Sequence, residues 1–365
     1  MNIINFHLKN FRNYDDESVT FVPGINILVG NNGQGKTNII EGIYYLLTGK
    51  SYRVQREHEL LKWDKEDFHL YGDFIVNHHK IFLESHFQDR KKRVKINHVP
   101  CQRLSDFVGT INVIFFSPDD LIMVKGGPSE RRRFLDLHIA QIRPGYVRLL
   151  NAYNKVIQQK SALLKSYNEK SLKSSQLQLW NIQIVELGTK IILHRDELTK
   201  RILKVADEIY KNITSEKEKL TISYYALGKK NSQDAIKEFP DLLNQKMDQE
   251  IDRQMVLVGP HRDDLQILLD DKPARLYASQ GQQRSMVLSM KLSELELIHQ
   301  EKGEYPLLLL DDVLSELDSF RRNYLIKFIE TSHIQTLITM TSAEKQLESG
   351  AQFYVDKGHI RRREG

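Results

Sequence analysis

The clearest chemical signal in the chain is a run of eight residues that fits the pattern G-x-x-x-x-G-K followed by Ser or Thr. The run consists of Gly30, Asn31, Asn32, Gly33, Gln34, Gly35, Lys36 and Thr37. Glycines let successive backbone N–H groups turn inward, and these groups hold phosphates together with the positive end of a following helix. The lysine reaches the β- and γ-phosphates, and the hydroxyl next to it ligates Mg²⁺. The run therefore predicts a site for ATP and Mg²⁺.

The residues on either side supply the elements that this pattern requires. Residues 25–29 are mostly aliphatic and predict a buried strand, and residues 38–47 have the apolar spacing of a helix. A strand that enters a glycine-rich turn and leaves as a helix brings phosphates to the helix N-terminus. The alternative, an ordinary glycine-rich turn without a ligand, is disfavoured by this context.

Two adjacent carboxylates form a second candidate group, far from the first along the chain. Leucines occupy positions 307–310, and Asp311 and Asp312 follow them. A carboxylate at the end of a buried strand can hold Mg²⁺ beside a P-loop, and a second one can deprotonate the attacking water. Successive side chains of a strand point apart, so the two carboxylates have separate roles. We assign Asp311, with Thr37, to the metal, and Asp312, with Lys36, to catalysis.

A third polar segment begins the helix that leads into this aspartate strand. The segment consists of Ser279, Gln280, Gly281 and Gln282. Ser279 can cap the helix, and backbone N–H groups near Gly281 can face a phosphate. Taken alone the segment is an ordinary helix start, but its position one helix before Asp311 favours the phosphate role. After the carboxylates, a polar turn contains Ser315 and Asp318.

Composition narrows the class of protein. The 365 residues allow two or three domains, and hydrophobic and charged fractions of 40% and 28% indicate a folded chain. The single cysteine, Cys101, excludes a disulfide framework and a cysteine-rich metal site, suits a reducing cytosol, and is expected to be a packed or surface thiol. Residues 1–10 lack the apolar core of a signal peptide, and no apolar run spans a membrane. We expect a cytoplasmic protein without a membrane partner.

Positive charge gives weaker information. Lysine and arginine outnumber acidic residues by 53 to 48, and basic clusters occur at 90–95, 131–133 and 361–363. Nucleic-acid binding depends on clustering more than on net charge, and any one cluster is more often a solvated turn, helix face or tail.

The remaining pattern predicts the elements that position these groups. Residues 3–8 predict a strand, and alternating residues predict strands over 68–76, 81–87 and 94–96, as in a meander. An apolar run over 111–116 predicts a buried strand, and further strands are predicted over 220–225, 263–269 and 336–340. Helices are predicted over 131–141, 282–300 and 320–329. Helical spacing over 147–164 and 198–213, with the polar segment 166–175 between, predicts an inserted helical hairpin. The alternation of strands and helices predicts a largely parallel, covered sheet.

In their order these motifs resemble the head of the ABC-type ATPases, in the branch of the SMC and Rad50 proteins, and within it the RecF family of bacterial recombination mediators. The likeness covers essentially the whole chain and also rests on residues 8–14, 116–121, 127–136 and 258–264. It implies an α/β fold, namely a P-loop ATPase head with an antiparallel β subdomain and an inserted α-helical lobe. The implied segments are an N-terminal ATPase part (1–115), the helical lobe (116–218) and a C-terminal ATPase part (219–365).

The resemblance also implies activity and partners. It implies a weak, DNA-stimulated ATPase that forms a homodimer with ATP, in which the Ser279 segment of one subunit contacts the γ-phosphate held by the other. Arg12 and Asn13 are implied near the nucleotide, and Ser315 and Asp318 belong to the D-loop. The implied partners are double-stranded DNA, junctions with single-stranded gaps, RecR and RecO, with RecA loading in DNA repair, replication restart and the SOS response as the outcome.

Some features depart from the family pattern. Residues 111–121 contain no lid glutamine, so Ser117, Asp119 and Asp120 are the candidates for that position. Thr341 and Ser342 stand where a switch histidine is usual. Asp312 stands where transporters have glutamate, and its shorter arm is expected to slow water activation. These departures concern hydrolysis and leave the prediction of nucleotide binding unchanged.

Three other classes of function stay open on the sequence. A transporter's nucleotide-binding subunit needs a membrane partner and usually the switch histidine. A P-loop kinase for a small molecule needs a substrate pocket but no Ser279-type segment. A scaffold with a relic site would show no hydrolysis even with DNA. His261 and Arg262 lie in a predicted turn, and two interpretations of them stay open. They face DNA or the lobe interface, or they have only a structural role in that turn.

Overall fold

A computed structural model describes residues 1–103, 106–166, 174–214, 218–342 and 350–363. Contacts divide the chain into a first unit, Met1–Asp120 with Glu294–Gly365, and a second unit, Leu121–Ser293. This division differs from the segments implied by the sequence, because residues 219–293 group with the helices. The strand formed by Leu220–Tyr225 packs on the long helix Ser174–Thr214, which explains that grouping.

The elements are numbered in chain order. The strands are β1 (Asn2–Phe11), β2 (Tyr14–Thr20), β3 (Ile25–Val29), β4 (Asp67–Val76), β5 (His79–Gln88), β6 (Lys91–Ile96), β7 (Val99–Pro100), β8 (Val113–Phe116), β9 (Leu220–Tyr225), β10 (Asp264–Leu269), β11 (Lys272–Pro273), β12 (Leu307–Asp311), β13 (Thr336–Met340), β14 (Ala351–Asp356) and β15 (His359–Arg362). The helices are α1 (Lys36–Thr48), α2 (Ile122–Lys125), α3 (Pro128–Ile142), α4 (Tyr146–Lys165), α5 (Ser174–Thr214), α6 (Ser232–Gln245), α7 (Met247–Arg253), α8 (Ala274–Tyr277), α9 (Gln280–Lys302), α10 (Val313–Glu316) and α11 (Ser319–Thr331).

The central sheet of the first unit has the order β15-β14-β3-β13-β12-β8 among the described residues. Neighbouring strands from β14 to β8 run parallel, and β15 pairs antiparallel at the edge. Every residue of β3, β12 and β13 is buried, as expected for parallel strands covered on both faces. The prediction of a largely parallel, covered sheet is confirmed, and it brings the C-terminal ends of these three strands to one edge.

The second sheet of the first unit is antiparallel, with the order β2-β1-β4-β5-β6-β7. Its predicted meander strands are confirmed, while β2 was not anticipated. Burial alternates strictly along most of β4, so one face of the sheet belongs to the hydrophobic core and the other faces outward. Helix α1 packs closely on the inner face, where a Cβ on Gly42 would lie 3.1 Å from both Leu8 and Phe6.

In the second unit, helices α3 to α7 accompany a small sheet of order β11-β10-β9. The predicted hairpin is confirmed in that α4 packs along α5. Helix α5 has 41 residues and starts well before the predicted position 198. Its buried Leu177, Ile184 and Ile191 repeat every seven residues, a helical spacing that continues to Leu198. Of the polar segment predicted between the two helices, residues 167–173 lie outside the described residues.

Within the described part of the chain, none of the helices combines the length and apolar character needed to cross a lipid bilayer.

Candidate nucleotide site

The glycine-rich loop connects β3 to α1, and the helix begins at Lys36 as the pattern predicts. Gly35 precedes the helix with a φ of 117°, and a Cβ there would lie 2.6 Å from Asn13 Nδ2. A Cβ on Gly30 would lie 2.3 Å from the carbonyl oxygen of Val355. Since no other residue fits such close approaches, both glycines are needed to hold the loop in this shape.

Lys36 lies across the loop that precedes it. Its side chain is only 4% exposed, and Nζ donates hydrogen bonds to the carbonyl oxygens of Gly30 at 2.6 Å and Asn31 at 2.9 Å. The ammonium group is therefore held inside the loop by neutral dipoles. A cation in this position, at the N-terminus of a helix, suits the binding of phosphate oxygens.

The loop is clamped from β1 and β2. Asn13 Nδ2 donates to the carbonyl oxygen of Gln34 at 3.0 Å, and Asn38 Nδ2 donates in turn to Asn13 Oδ1 at 2.8 Å. The hydroxyl of the fully buried Tyr14 donates to the carbonyl oxygen of Gly35 at 3.0 Å. The resemblance implies that Asn13 lies near the nucleotide. In the structure its side chain supports the glycine-rich loop by a hydrogen bond to the loop's backbone.

Arg12 contacts the helix rather than the loop. Its Nε and Nη2 donate to the two carboxylate oxygens of Glu41 at 2.9 and 2.8 Å, and Nη1 donates to the carbonyl oxygen of Glu59 at 2.8 Å. Glu41 is fully buried on α1 and also accepts hydrogen bonds from Ser51 at 2.6 Å and Arg53 at 3.1 Å. The two arginines compensate the buried carboxylate, which fixes α1 behind the loop.

The loop and the aspartate strand meet at one carboxylate. Thr37 Oγ1 donates to Asp311 Oδ1 at 2.9 Å, and Thr339 Oγ1 on the neighbouring strand β13 donates to the same oxygen at 2.8 Å. Burial raises the pKa of Asp311, while the hydrogen bonds from Thr339 and Thr37 work against that rise. The two residues assigned to the metal are therefore in direct contact.

The donor atoms at this point fit Mg²⁺. A hydroxyl and a carboxylate are hard oxygen ligands, and Mg²⁺ in phosphate sites takes one or two protein ligands, with water and phosphate oxygens completing its shell. In the described ranges, no three or more His, Cys, Asp and Glu side chains are grouped to hold a metal ion.

Asp312 departs from the strand geometry that the sequence suggests. Strand β12 ends at Asp311, and Asp312 has a φ of 53°, in the left-handed region. Its N–H donates to Thr339 Oγ1 at 2.9 Å, and the residue caps the short helix α10. The carboxylates of Asp311 and Asp312 are thus separated because the backbone turns at Asp312, and not because successive residues of a strand alternate. A non-glycine residue in this conformation is a frequent feature of functional sites.

The Ser279 segment, in the second unit, is a reciprocal capping box. Gln282 N–H donates to Ser279 Oγ at 3.3 Å, and Ser279 N–H donates to Gln282 Oε1 at 2.6 Å, which confirms the predicted cap of α9. Gln282 Nε2 also donates to Glu218 Oε1 at 2.6 Å. Leu276 and Tyr277, just before the segment, are 72% and 68% exposed. The segment is complete as a helix start, so its contact with a phosphate stays a prediction.

The two D-loop residues have local partners. Ser315 Oγ donates to the carbonyl oxygen of Asp312 at 2.7 Å. Asp318 caps α11, with Oδ1 accepting a hydrogen bond from Arg321 N–H at 2.9 Å. Both residues therefore shape the chain directly after the catalytic candidate Asp312.

The lid and switch candidates differ in their surroundings. Ser117 N–H donates to Asp120 Oδ2 at 2.8 Å, which closes a turn after β8, while Asp119 is exposed. Thr341 and Ser342 are exposed directly after β13. Asp119 therefore keeps its side chain accessible, whereas Asp120 is used by the turn.

Three other residues have surroundings that favour a structural role. His261 is held between Tyr153 Oη, 2.7 Å from its Nδ1, and the carbonyl oxygen of Val256, and burial lowers its pKa to about 4. Arg262 Nη2 donates to that same carbonyl oxygen at 3.2 Å. Burial raises the pKa of Cys101, which keeps it a thiol and disfavours a nucleophilic role.

Sequence reasoning did not identify four residues that support the site, namely Tyr14, Asn38, Glu41 and Thr339. A signal existed for Thr339, because it is a hydroxyl residue in an otherwise buried, mainly aliphatic strand. Thr339 reaches Asp311 only because β13 lies between β12 and β3 in the sheet, and local periodicity does not encode that strand order.

Comparisons with known proteins agree with this geometry. Residues 2–357 match the family described as the RecF/RecN/SMC N terminal domain. The DNA replication and repair protein RecF of Desulfitobacterium hafniense is 60% identical over 99% of this chain and 100% of its own, and that of Bacillus subtilis is 38% identical over 99% and 100%.

Solved structures extend the likeness to three dimensions. A structure described as the recombination mediator protein RecF-ATP in the RecFOR pathway has a TM-score of 0.92 and 32% identity, and covers 99% of this chain and 97% of its own. An Smc head bound to a domain of ScpA has a TM-score of 0.60 at 15% identity, covering 100% and 97%, and supports the fold alone. The fold is that of an ABC-type ATPase head, and the chain belongs to the RecF family within the RecF/RecN/SMC N-terminal domain proteins.

Proposed function

We propose that the chain is an ATP-dependent, DNA-binding recombination mediator and a weak, DNA-stimulated ATPase. The observation that carries the proposal is the hydrogen bond between Thr37 and Asp311. It joins two nucleotide-site motifs that lie 274 positions apart in the sequence. Full-length similarity to RecF proteins, one of them solved with ATP, supports the same assignment.

Each residue of the site has a task in ATP hydrolysis. Lys36 and the backbone of residues 30–35 hold the phosphates, and Thr37 and Asp311 would hold Mg²⁺, which neutralises charge that develops on the phosphate oxygens. Asp312 accepts a proton from the attacking water. Its short side chain leads us to expect slow turnover, which suits a protein that uses ATP as a switch.

ATP is expected to control association of two copies. The Ser279 segment of one copy would contact the γ-phosphate bound by Gly30–Thr37 of the other. Nucleotide bound between two surfaces shifts the monomer–dimer equilibrium by its greater affinity for the dimer. The exposed Leu276 and Tyr277 beside Ser279 provide apolar surface that such a contact could bury.

DNA and protein partners follow from family membership. We expect the dimer to bind duplex DNA and junctions with single-stranded gaps through phosphate contacts, with strong salt dependence and little base readout. The RecFOR pathway named for the solved relative points to RecR and RecO as partners. Promotion of RecA loading would then be the outcome in repair, replication restart and SOS induction.

Sizing by light scattering, with and without ATP and duplex DNA across a salt series, tests the proposal. We expect ATP to convert the wild-type protein to a dimer, Lys36→Met to prevent dimerisation, and Ser279→Arg to retain ATP binding but lose the dimer. Lys190→Met, which alters an exposed ion pair on α5, serves as the control. A single copy that fully encloses its nucleotide, or a dimer that forms normally with Lys36→Met, would refute the proposal.

A further inference from the structure

The outward face of the antiparallel sheet carries rings that the nucleotide site does not use. The side chains are His7, His69, Tyr71, Phe82, His86 and His98, called the aromatic platform below. They line or border an open groove of about 410 Å³. The platform lies within residues 1–120, so it belongs to the first unit alone.

Strand register explains how these rings come together. Tyr71 on β4 lies opposite His7 on β1, and His69 on β4 lies opposite His86 on β5. Because successive side chains alternate, positions two apart on one strand share a face, and Cβ atoms opposite each other are about 5 Å apart. The platform is therefore built from adjacent strands at regular spacing, with His98 added from the turn between β6 and β7.

The rings present flat faces. His7 and Tyr71 are stacked with centroids 4.4 Å apart and planes at 13°, and Phe82 and His98 are stacked at 4.4 Å and 23°. Such pairs hold each other's orientation, which lowers the entropy lost when a further flat group stacks upon them.

The carboxylates on the platform have partners of two kinds. Glu84 pairs with Lys95 at 2.9 Å, and histidines lie near both acids, His69 at 3.1 Å from Glu84 and His7 at 2.8 Å from Asp16. Burial lowers the pKa of His69, which favours its neutral, stacking form. Lys95 is therefore the residue that compensates the charge of Glu84 on this face.

An exposed tryptophan lies in a turn that is anchored to the same sheet. Trp63 is 88% exposed, the highest fraction among the large hydrophobic residues described. Its turn is fixed to β1 because Lys62 N–H donates to the carbonyl oxygen of Asn10 at 2.9 Å, and the Lys62 ammonium pairs with Asp15 at 2.5 Å. Asn10 Nδ2 in turn donates to Asp67, which contacts His86. These hydrogen bonds connect the Trp63 turn to the sheet that carries the platform.

From this arrangement we infer that the aromatic platform, with Trp63, binds unpaired bases of single-stranded DNA by stacking. Sheets that display aromatic rings beside positive charge bind single strands in this way, and stacking tolerates any base. Lys9 and Arg93 are exposed on the same face, in register with His69 and His86, and can contact phosphates. The inference rests on the proposed function, since it assigns the single-stranded part of a gapped junction to a surface of this chain.

The test compares binding of gapped duplex, blunt duplex and a short oligothymidylate to the full-length protein with ATP. We expect Trp63→Ala and the double variant Tyr71→Ala/Phe82→Ala to weaken binding of oligothymidylate and gapped duplex roughly tenfold. Blunt-duplex affinity and ATP binding should stay unchanged. Trp63→Phe, which keeps a ring, should retain most of the affinity, and Leu179→Ala, an exposed change on α5, should have no effect.

Tryptophan fluorescence gives a second readout that does not depend on the platform variants. The chain has two tryptophans, so Trp180→Phe leaves Trp63 as the single emitter. Stacking of thymine on Trp63 should quench this emission as oligothymidylate is added. Unaltered emission during saturable binding of the oligonucleotide would contradict the inference.

The outcomes separate this inference from the proposed function. Alanine variants that bind gapped duplex as tightly as wild type, or that lose blunt duplex equally, would overturn the stacking surface. Wild-type protein that binds blunt duplex but no single strand would also overturn it, while leaving the proposed function intact. Failure of the wild type to bind any DNA with ATP would refute the proposed function itself.

Discussion

Two buried lysines, one in each compact unit, have hydrogen-bond partners of different kinds. Lys36 is 4% exposed and donates to two carbonyl oxygens of its loop, and within the part of the chain that the structure describes no carboxylate pairs with it. Lys160 in the second unit is fully buried and donates to Glu250 and to Asn181. The first lysine keeps a net positive charge for an incoming phosphate, while the second is already paired.

The comparison teaches that buried charge alone does not identify a functional site. The Lys160–Glu250 pair joins α4 to α7, and Glu250 also accepts the N–H of Leu257 at 2.8 Å, so its partners lie within the protein. At Lys36, by contrast, the partners are neutral carbonyl groups, and the Thr37–Asp311 contact lies on the adjacent residue. Variants in the second unit should therefore change stability, and variants around the loop should change ATP binding or turnover.

The largest effect is expected from Lys160→Met. Removal of the ammonium leaves Glu250 buried without its cation, and loss of one partner of such a pair lowers the free energy of unfolding by about 3–5 kcal/mol. Urea denaturation followed by circular dichroism measures this loss. The control is Lys190→Met, in an exposed pair with Glu186, where the change should stay below about 0.5 kcal/mol. Equal stability of the two variants would contradict the structural role assigned to the buried Lys160–Glu250 pair.

Acid should destabilise the second unit through His261. Its pKa is about 4 in the folded chain because burial disfavours the charged ring, whereas an unfolded histidine titrates near 6.5. The unfolded state therefore takes up the proton first, so stability is complete above pH 6.5 and falls as pH drops toward 4, by up to about 3 kcal/mol.

Denaturation midpoints measured over that pH window, for wild type and His261→Gln, test this prediction. The variant lacks the titrating ring, so its stability should depend less steeply on pH. Parallel curves for the two proteins would assign the pH dependence to groups other than His261.

At the loop, Asp312→Asn should slow turnover about 100-fold, equivalent to about 2.7 kcal/mol of barrier, because an amide accepts the water proton poorly. ATP binding and ATP-driven dimerisation should persist, since Asp311 and Thr37 remain. Phosphate release with DNA present measures the rate. Asp241→Asn, an exposed carboxylate on α6, is the control. Turnover that is unaffected by Asp312→Asn would place the base elsewhere, with Asp119 the next candidate.

A smaller effect should follow from Asn13→Ala. The variant removes the hydrogen bond to the Gln34 carbonyl oxygen, worth about 1 kcal/mol, and should weaken ATP binding about fivefold with little loss of stability. Titration with a fluorescent ATP analogue measures the affinity. Asn5→Ala, which removes an exposed asparagine on β1, should bind ATP like wild type. Similar behaviour of the two variants would show that the clamp does not shape the loop.

Much of the framework was predictable from local pattern. The P-loop, the meander strands, β3, β12 and β13 all appear where spacing placed them, because apolar periodicity reports directly on burial. The helices α6 and α7 and the strands β2, β14 and β15 were not predicted. Helix α6 contains Pro240, an unfavourable residue inside a helix, which masks its signal.

The supporting residues of the site were harder to predict for a different reason. Glu41 is an unremarkable helix residue by its spacing, yet it is buried and its charge is compensated by Arg12 and Arg53. Asp312 was expected on a strand, but it occupies a left-handed turn because its N–H bonds to Thr339. Each of these contacts joins residues that are distant in sequence.

The sequence alone determined the phosphate-binding loop, the carboxylates and the helix cap at Ser279, because each depends on residue types at short, fixed spacing. Tertiary structure decided that Thr37, Asp311 and Thr339 share one oxygen, and that rings from β1, β4 and β5 form one outward face. The order and register of strands set those contacts, and they follow from packing of the whole core, which no local pattern of residues specifies.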